Sequence, residues 1–157
     1  MRIARISFAR TLRNRIVTVK LGDNSKVDLI KGVPLFSGAS KGELAKIAAI
    51  ADEVDLPAGK TLIKEGDSGR EFFVLIDGTA DVSQEGKTIG KIMGPGDFFG
   101  EIALVSKAAR TATITTTSPV RALVVTDRAF RQLLDDSPEI AVGVLTALAE
   151  RLAPTAL

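Results

Sequence analysis

Residues 97–113 read DFFGEIALVSKAARTAT, a stretch that joins a strand, a tight turn and two opposite charges. Its first part ends a strand-like run at Gly100, whose missing side chain lets backbone come close to a ligand. EIALV, residues 101–105, has the composition of one short helical turn, so N–H groups unpaired at its start would point back toward that glycine. This is an anion site in outline. Arg110 follows Glu101 by nine residues and carries a planar fork that matches two oxygens of a phosphate. Glu101 cannot serve the same phosphate, because two anions repel; as an ionised acceptor it needs hydroxyl or amine donors, such as those of a sugar. A small phosphorylated sugar would satisfy all three features. The same residues are also compatible with a surface ion pair and an ordinary turn.

Upstream of this stretch, short apolar segments alternate with glycine turns: EVDLPAG, TLIKEGD, REFFVLIDG, TADVSQEG and KTIGKIMGPGD. Their regular spacing predicts an antiparallel barrel or sandwich, with Gly59, Gly66, Gly78, Gly86 and Gly96 at the reversals. Phe98 and Phe99 alternate, so one should face the core and the other lean outward or toward helices. Downstream, residues 111–127 form two β-rich segments broken at Ser118 and Pro119. Asp127 is the expected cap of one helix, and Ser137 with Pro138 the expected start of a last one. That helix carries Ile140, Val144, Leu148 and Leu152 on one stripe with Leu145 alongside, and Pro154 should end it. Nearer the N-terminus, Ser40 and Glu43 have capping-box spacing ahead of an apolar stripe of Leu44, Ile47, Ala48 and Ala51. Residues 27–36 read as a helical or irregular lead-in.

At 157 residues the chain suits one domain with a sizeable core, and its 45% apolar content is that of a globular protein. It has no cysteine and no histidine. Disulfides and thiolate metal sites are therefore excluded, and the commonest metal ligand and general base is missing. No enzymatic activity and no metal are expected. Asp135 and Asp136, though paired, fall at an interhelical turn where solvation is their ordinary state. The net charge of +2 is uneven: residues 1–27 carry seven basic side chains against Asp23, a net +6, which leaves −4 for the rest. We therefore divide the chain into a basic arm, residues 1–27, and a domain, residues 28–157. The arm mixes helical and strand-like periodicity. Residues 1–20 could touch an anionic membrane or nucleic acid, or pack on the domain or a partner helix. Membrane contact stays open, and nucleic acid is not the expected partner. The lack of cysteine fits a reducing compartment, and the cytoplasm is the expected location.

FGEIAL, a short spacer and RTAT together resemble the phosphate-binding cassette of the cyclic nucleotide-binding domain family, and the resemblance runs from about residue 35 to about residue 152. It implies a mainly β fold, an antiparallel β-roll or jelly-roll barrel with an N-terminal helix and two C-terminal helices. It also implies roles. Arg110 grips a cyclic phosphate, Glu101 takes the ribose 2′-hydroxyl, and backbone amides of Gly100, Ile102 and Ala103 complete the anion site. Val82 and Met93 match positions that line the purine pocket in related domains, with ordinary core packing as the alternative for each. Thr111 could reach a phosphate oxygen or the amine of guanine, or simply start a strand. The last helix lacks the aromatic lid that some members place over the base; Arg151 or Thr155 could touch the base edge instead. The implied function is a sensor for a cyclic purine mononucleotide, cyclic AMP ahead of cyclic GMP, with no further cofactor. Rearrangement of residues 127–152 would signal to a protein effector outside the chain, unless the chain is itself a fragment. A fold that has lost its ligand and acts as an interaction module, or a tether working through the arm, are the alternatives.

Overall fold

The computed structural model describes residues 21–156, so the expectations placed on residues 1–20 lie outside the described residues. The architecture is organised around strand β3, Glu71–Asp77, whose five central residues are all buried. Side chains alternate between the two faces of a strand, so an unbroken apolar run must be covered on both. Phe72, Val74 and Ile76 enter a cluster shared with the helices, while Phe73 and Leu75 enter a second cluster between two sheets.

The first sheet sets β1 (Asp52–Leu56), β8 (Val120–Thr126), β3 and β6 (Phe98–Phe99) side by side. The second runs β2 (Thr61–Ile63), β7 (Thr113–Thr116), β4 (Thr79–Gln84) and β5 (Lys87–Met93). Every pairing is antiparallel. The two phenylalanines of β6 divide as alternation requires. Phe99 stacks on Phe73 between the sheets, with centroids 4.8 Å apart, and Phe98 meets Phe72 edge-on at 6.3 Å on the helix side. All five glycines expected at reversals have positive φ.

Helices cover the outer face of the first sheet: α1 (Asp23–Lys31), α2 (Lys41–Ala49), α3 (Asp127–Asp136) and α4 (Glu139–Ala156), with a 3-10 turn at Pro34–Phe36. Helix α1 straddles the division drawn at residues 27 and 28. It is tied to the domain by fully buried Ile30, by Lys26 Nζ donating to the Ala51 carbonyl at 3.1 Å, and by the Leu21 N–H donating to Glu53 Oε2 at 2.8 Å. The Ser40–Glu43 capping box is formed in both directions. Helix α4 seats against residue 38 so closely that a Cβ on Gly38 would lie 2.7 Å from the Gly143 carbonyl oxygen. Its stripe divides: Ile140 and Val144 are buried and Leu148 packs beside them, whereas Leu145 and Leu152 are exposed.

Three details differ from expectation. Thr126, not Asp127, caps α3: its backbone is still extended, and its hydroxyl accepts the Ala129 N–H at 3.1 Å. Asp127 is already the first helical residue, and its N–H, which the helix leaves unpaired, donates to the Arg70 carbonyl at 2.8 Å. Ser137 does not use its hydroxyl as a cap, since that oxygen is buried and accepts Lys46 Nζ at 2.8 Å. Pro154 does not end the last helix, whose backbone continues to Ala156; a proline this near a C-terminus disturbs one donor and few turns. Among the described residues, no helix is long and apolar enough to cross a membrane.

Thr126→Ala should cost about 1 kcal/mol in denaturant unfolding followed by circular dichroism, the usual loss of a side-chain cap, and Asp127→Ala should cost less. Phe72→Ala should cost about 3–5 kcal/mol, since a fully buried ring leaves a cavity that the two-sided strand cannot close.

Candidate functional site

Arg110 lies just before β7, and the loop between β2 and β3 fixes its backbone. The Gly66 N–H donates to the Arg110 carbonyl at 2.9 Å, the Arg110 N–H donates to the Asp67 carbonyl at 2.8 Å, and Ser68 bridges to Ala109. From there its side chain runs inward between two glycines, and only 7% of it is exposed. A Cβ on Gly69 would sit 2.8 Å from the guanidinium carbon, and one on Gly100 would sit 2.7 Å from Nη1 and 2.8 Å from the Glu71 carbonyl oxygen. At residue 100 a side chain would strike fixed main chain, whereas at residue 69 it would push the guanidinium itself out of place. Gly100 also has φ 84°, the left-handed region that L-residues enter at a cost.

The guanidinium is held by main-chain oxygens. Nη2 donates to the Glu71 carbonyl at 2.7 Å, and Nη1 reaches the Gly100 carbonyl at 3.5 Å. The nearest carboxylate is that of Glu71, 3.9 Å from Nη2 and itself 45% exposed. Burial lowers the Arg110 pKa from its ordinary value, and the Glu71 charge pulls it part of the way back. Arginine has five N–H donors, so a cation held by two carbonyls keeps capacity for an anionic guest.

Residues 101–104 form the short helical turn expected from the sequence, as a 3-10 helix beginning directly after Gly100. The Ala103 N–H is spent within it, on the Gly100 carbonyl at 3.1 Å. Among the described residues, the Glu101 and Ile102 N–H groups meet no backbone acceptor, and the Glu101 carboxylate makes no hydrogen bond or ion pair. Ile102 is 44% exposed, and Ala103 is buried. Thr111 is exposed, with its carbonyl accepting Gln84 Nε2 at 2.9 Å.

The structure therefore brings Gly100, Arg110 and the start of the Glu101 turn together. Val82, half-buried, packs against the inter-sheet cluster. Met93 does not. It is half exposed and alternates with Ile92, which is the β5 residue that enters that cluster. The register with β4 puts Ile92 opposite buried Ala80 and Met93 opposite Thr79, which leaves Met93 on the other face, and its N–H donates to Asp97 Oδ2 at 2.9 Å where the strand ends. Gly69 and Glu71 belong to the site although nothing in the spacing of residues 97–113 points to them; Glu71 is 39 positions from Arg110. Among the described residues no cluster of acidic side chains could hold a metal ion.

Residues 53–137 match the family model of the cyclic nucleotide-binding domain. The chain is 30% identical over 132 residues to a CRP-like cAMP-activated global transcriptional regulator of Mycobacterium tuberculosis, a match covering 82% of this chain and 59% of that protein. It is 34% identical over 113 residues to a cAMP-dependent protein kinase regulatory subunit of Eremothecium gossypii, covering 72% of this chain and 25% of the subunit. The crystal structure of the N-terminal domain of a transcriptional regulator from Streptomyces coelicolor superposes with a TM-score of 0.74 at 30% identity, covering 82% of this chain and 94% of that one. The chain thus spans less than two thirds of the regulator and a quarter of the kinase subunit.

Gly100→Ala should destabilise the fold by about 1–3 kcal/mol, combining backbone strain with a clash against a fixed carbonyl. Gly96→Ala supplies the comparison: φ there is 110°, but an added Cβ meets nothing within 4 Å. Urea unfolding of both variants should show the larger loss at position 100.

Proposed function

The chain belongs to the cyclic nucleotide-binding domain family of regulatory proteins, and from that membership we propose that its ligand is a cyclic purine mononucleotide, cyclic AMP ahead of cyclic GMP. One observation carries the proposal: a buried guanidinium, placed by main-chain carbonyls and lacking a carboxylate at hydrogen-bond distance, beside a helical turn whose first N–H groups are unspent. In this reading Arg110 binds the cyclic phosphate with the amides of Glu101 and Ile102, and the Glu101 carboxylate accepts the ribose 2′-hydroxyl. Gly100 permits the close approach, although its own amide and that of Ala103 are lesser contributors, the latter being already bonded. Val82, half-buried on β4, and Met93, half exposed at the end of β5, are the apolar residues offered to the purine. Thr111 is the residue through which guanine would be accommodated. Cyclic AMP comes first because both the mycobacterial regulator and the fungal subunit are described by it.

The output is conformational, not chemical. Binding shifts the placement of α3 and α4 by the ligand's differential affinity for the two placements. A direct connection supports this: the first amide of α3 is bonded to the Arg70 carbonyl, one residue from the carbonyl that holds Arg110. A protein effector in the cytoplasm reads that placement. No catalytic step is assigned to the domain.

Calorimetric titration with cyclic AMP and cyclic GMP tests the assignment. Arg110→Ala should weaken cyclic AMP binding by about 2–5 kcal/mol, and undiminished affinity in the folded variant would refute it. Glu101→Gln should reduce the preference for cyclic AMP over its 2′-deoxy analogue. Equal losses for the two nucleotides would remove Glu101 from the sugar site.

A further inference from the structure

Glu71 meets Arg110 in two chemically different ways. Its carbonyl accepts Nη2 at 2.7 Å, a hydrogen bond that orients the guanidinium and would survive any side-chain change. Its carboxylate stands 3.9 Å from the same nitrogen, too far for a hydrogen bond, and acts only through its charge. The two side chains are also unequally hydrated: that of Arg110 is 7% exposed and that of Glu71 45% exposed. A buried cation gains from any anion nearby, whereas a half-exposed carboxylate is already well hydrated and gives up little by losing its partner. Such an anion is a weak, replaceable counter-charge.

We propose that the Glu71 carboxylate is the resident counter-ion of Arg110 and sets the ligand affinity of the site by competing with the incoming phosphate; this rests on the ligand assignment made above. Glu71 is thereby an affinity-determining residue that holds no part of the ligand. With the site empty, its charge offsets the burial of Arg110. With the ligand bound, two anions share one guanidinium, and their repulsion subtracts from the binding energy. The carboxylate thus weakens the grip on any anionic ligand while leaving a neutral one untouched.

The test is calorimetry of the full chain and its Glu71→Gln variant with cyclic AMP and with adenosine, at low and high salt. Glu71→Gln keeps the orienting carbonyl and removes the charge. Cyclic AMP should bind the variant about three- to tenfold more tightly at low salt, the factor expected when one half-solvated unit charge is removed, and the gain should shrink at high salt. Adenosine, which has no phosphate, should change by less than about twofold on the same argument. Unchanged or weaker cyclic AMP binding overturns the proposal, as does equal tightening of adenosine, which would mean that Glu71 acts by packing. Failure of the unmodified chain to bind cyclic AMP overturns the ligand assignment and this proposal together, so the two failures are told apart. Glu71→Ala serves the same comparison if the glutamine variant does not fold.

Discussion

A guanidinium withdrawn from water and bonded to peptide carbonyls sets the terms for everything around it. A buried cation needs acceptors, and the ones supplied to Arg110 belong to Glu71 and Gly100, residues at the start of β3 and just past β6. Those two strands are themselves paired, Phe73 opposite Phe99 and Val74 opposite Phe98, so the acceptors cannot drift apart. To reach them the side chain passes where a Cβ at residue 100 would strike the Glu71 carbonyl and one at residue 69 would displace the guanidinium. The start of β3 is locked to Gly100 and to Arg110, 39 positions on, by this single passage. The cation that results is positioned in advance and has no carboxylate at hydrogen-bond distance, which leaves it donors for an anion without first rebuilding the site.

The same strand carries this order into the helices. β3 presents one row of side chains to the helical layer and the other to the second sheet, so its position is felt on both sides. Phe72 meets Phe36 of the N-terminal 3-10 turn, which in turn meets Phe130 of α3. The peptide preceding Glu71 holds the first amide of α3. Lys46 of α2 grips the Ser137 hydroxyl at the joint between α3 and α4, and Gly38 lies flush against Gly143. Packed interiors do not deform smoothly, so the start of β3, the 3-10 turn and helices α3 and α4 are held as one contiguous set of contacts.

Much of this is legible in the chain as written. The glycines at residues 59, 66, 78, 86 and 96 mark reversals because positive φ is cheap only there, and the strands between them follow. The Ser40–Glu43 box could be read from a three-residue spacing because both bonds are local. Errors arose where a local rule met a distant competitor. The Ser137 hydroxyl would be an ordinary cap but for Lys46, 91 positions away. Asp127 has the residue type of a cap, yet the strand pairing carries extended backbone one residue less far, so Thr126 holds the cap and the Asp127 amide goes to the Arg70 carbonyl. At the end of β5 an apolar pair gives no sign of which member points inward; the pairing of Ile92 with Ala80 turns Ile92 to the core and leaves Met93 half exposed.

Local periodicity and turn chemistry therefore settled the antiparallel β architecture and the existence of the flanking helices, and the sequence places a glycine, a carboxylate and an arginine at the spacing that resembles the family's cassette, because each depends on neighbours a few residues away. Only the folded chain decided what Arg110 leans on, that Gly69 and Glu71 belong to its surroundings, and which residues of β5 and α4 turn inward. Those choices are made by contacts between segments tens of residues apart, whose energies depend on three-dimensional distance and leave no period in the chain.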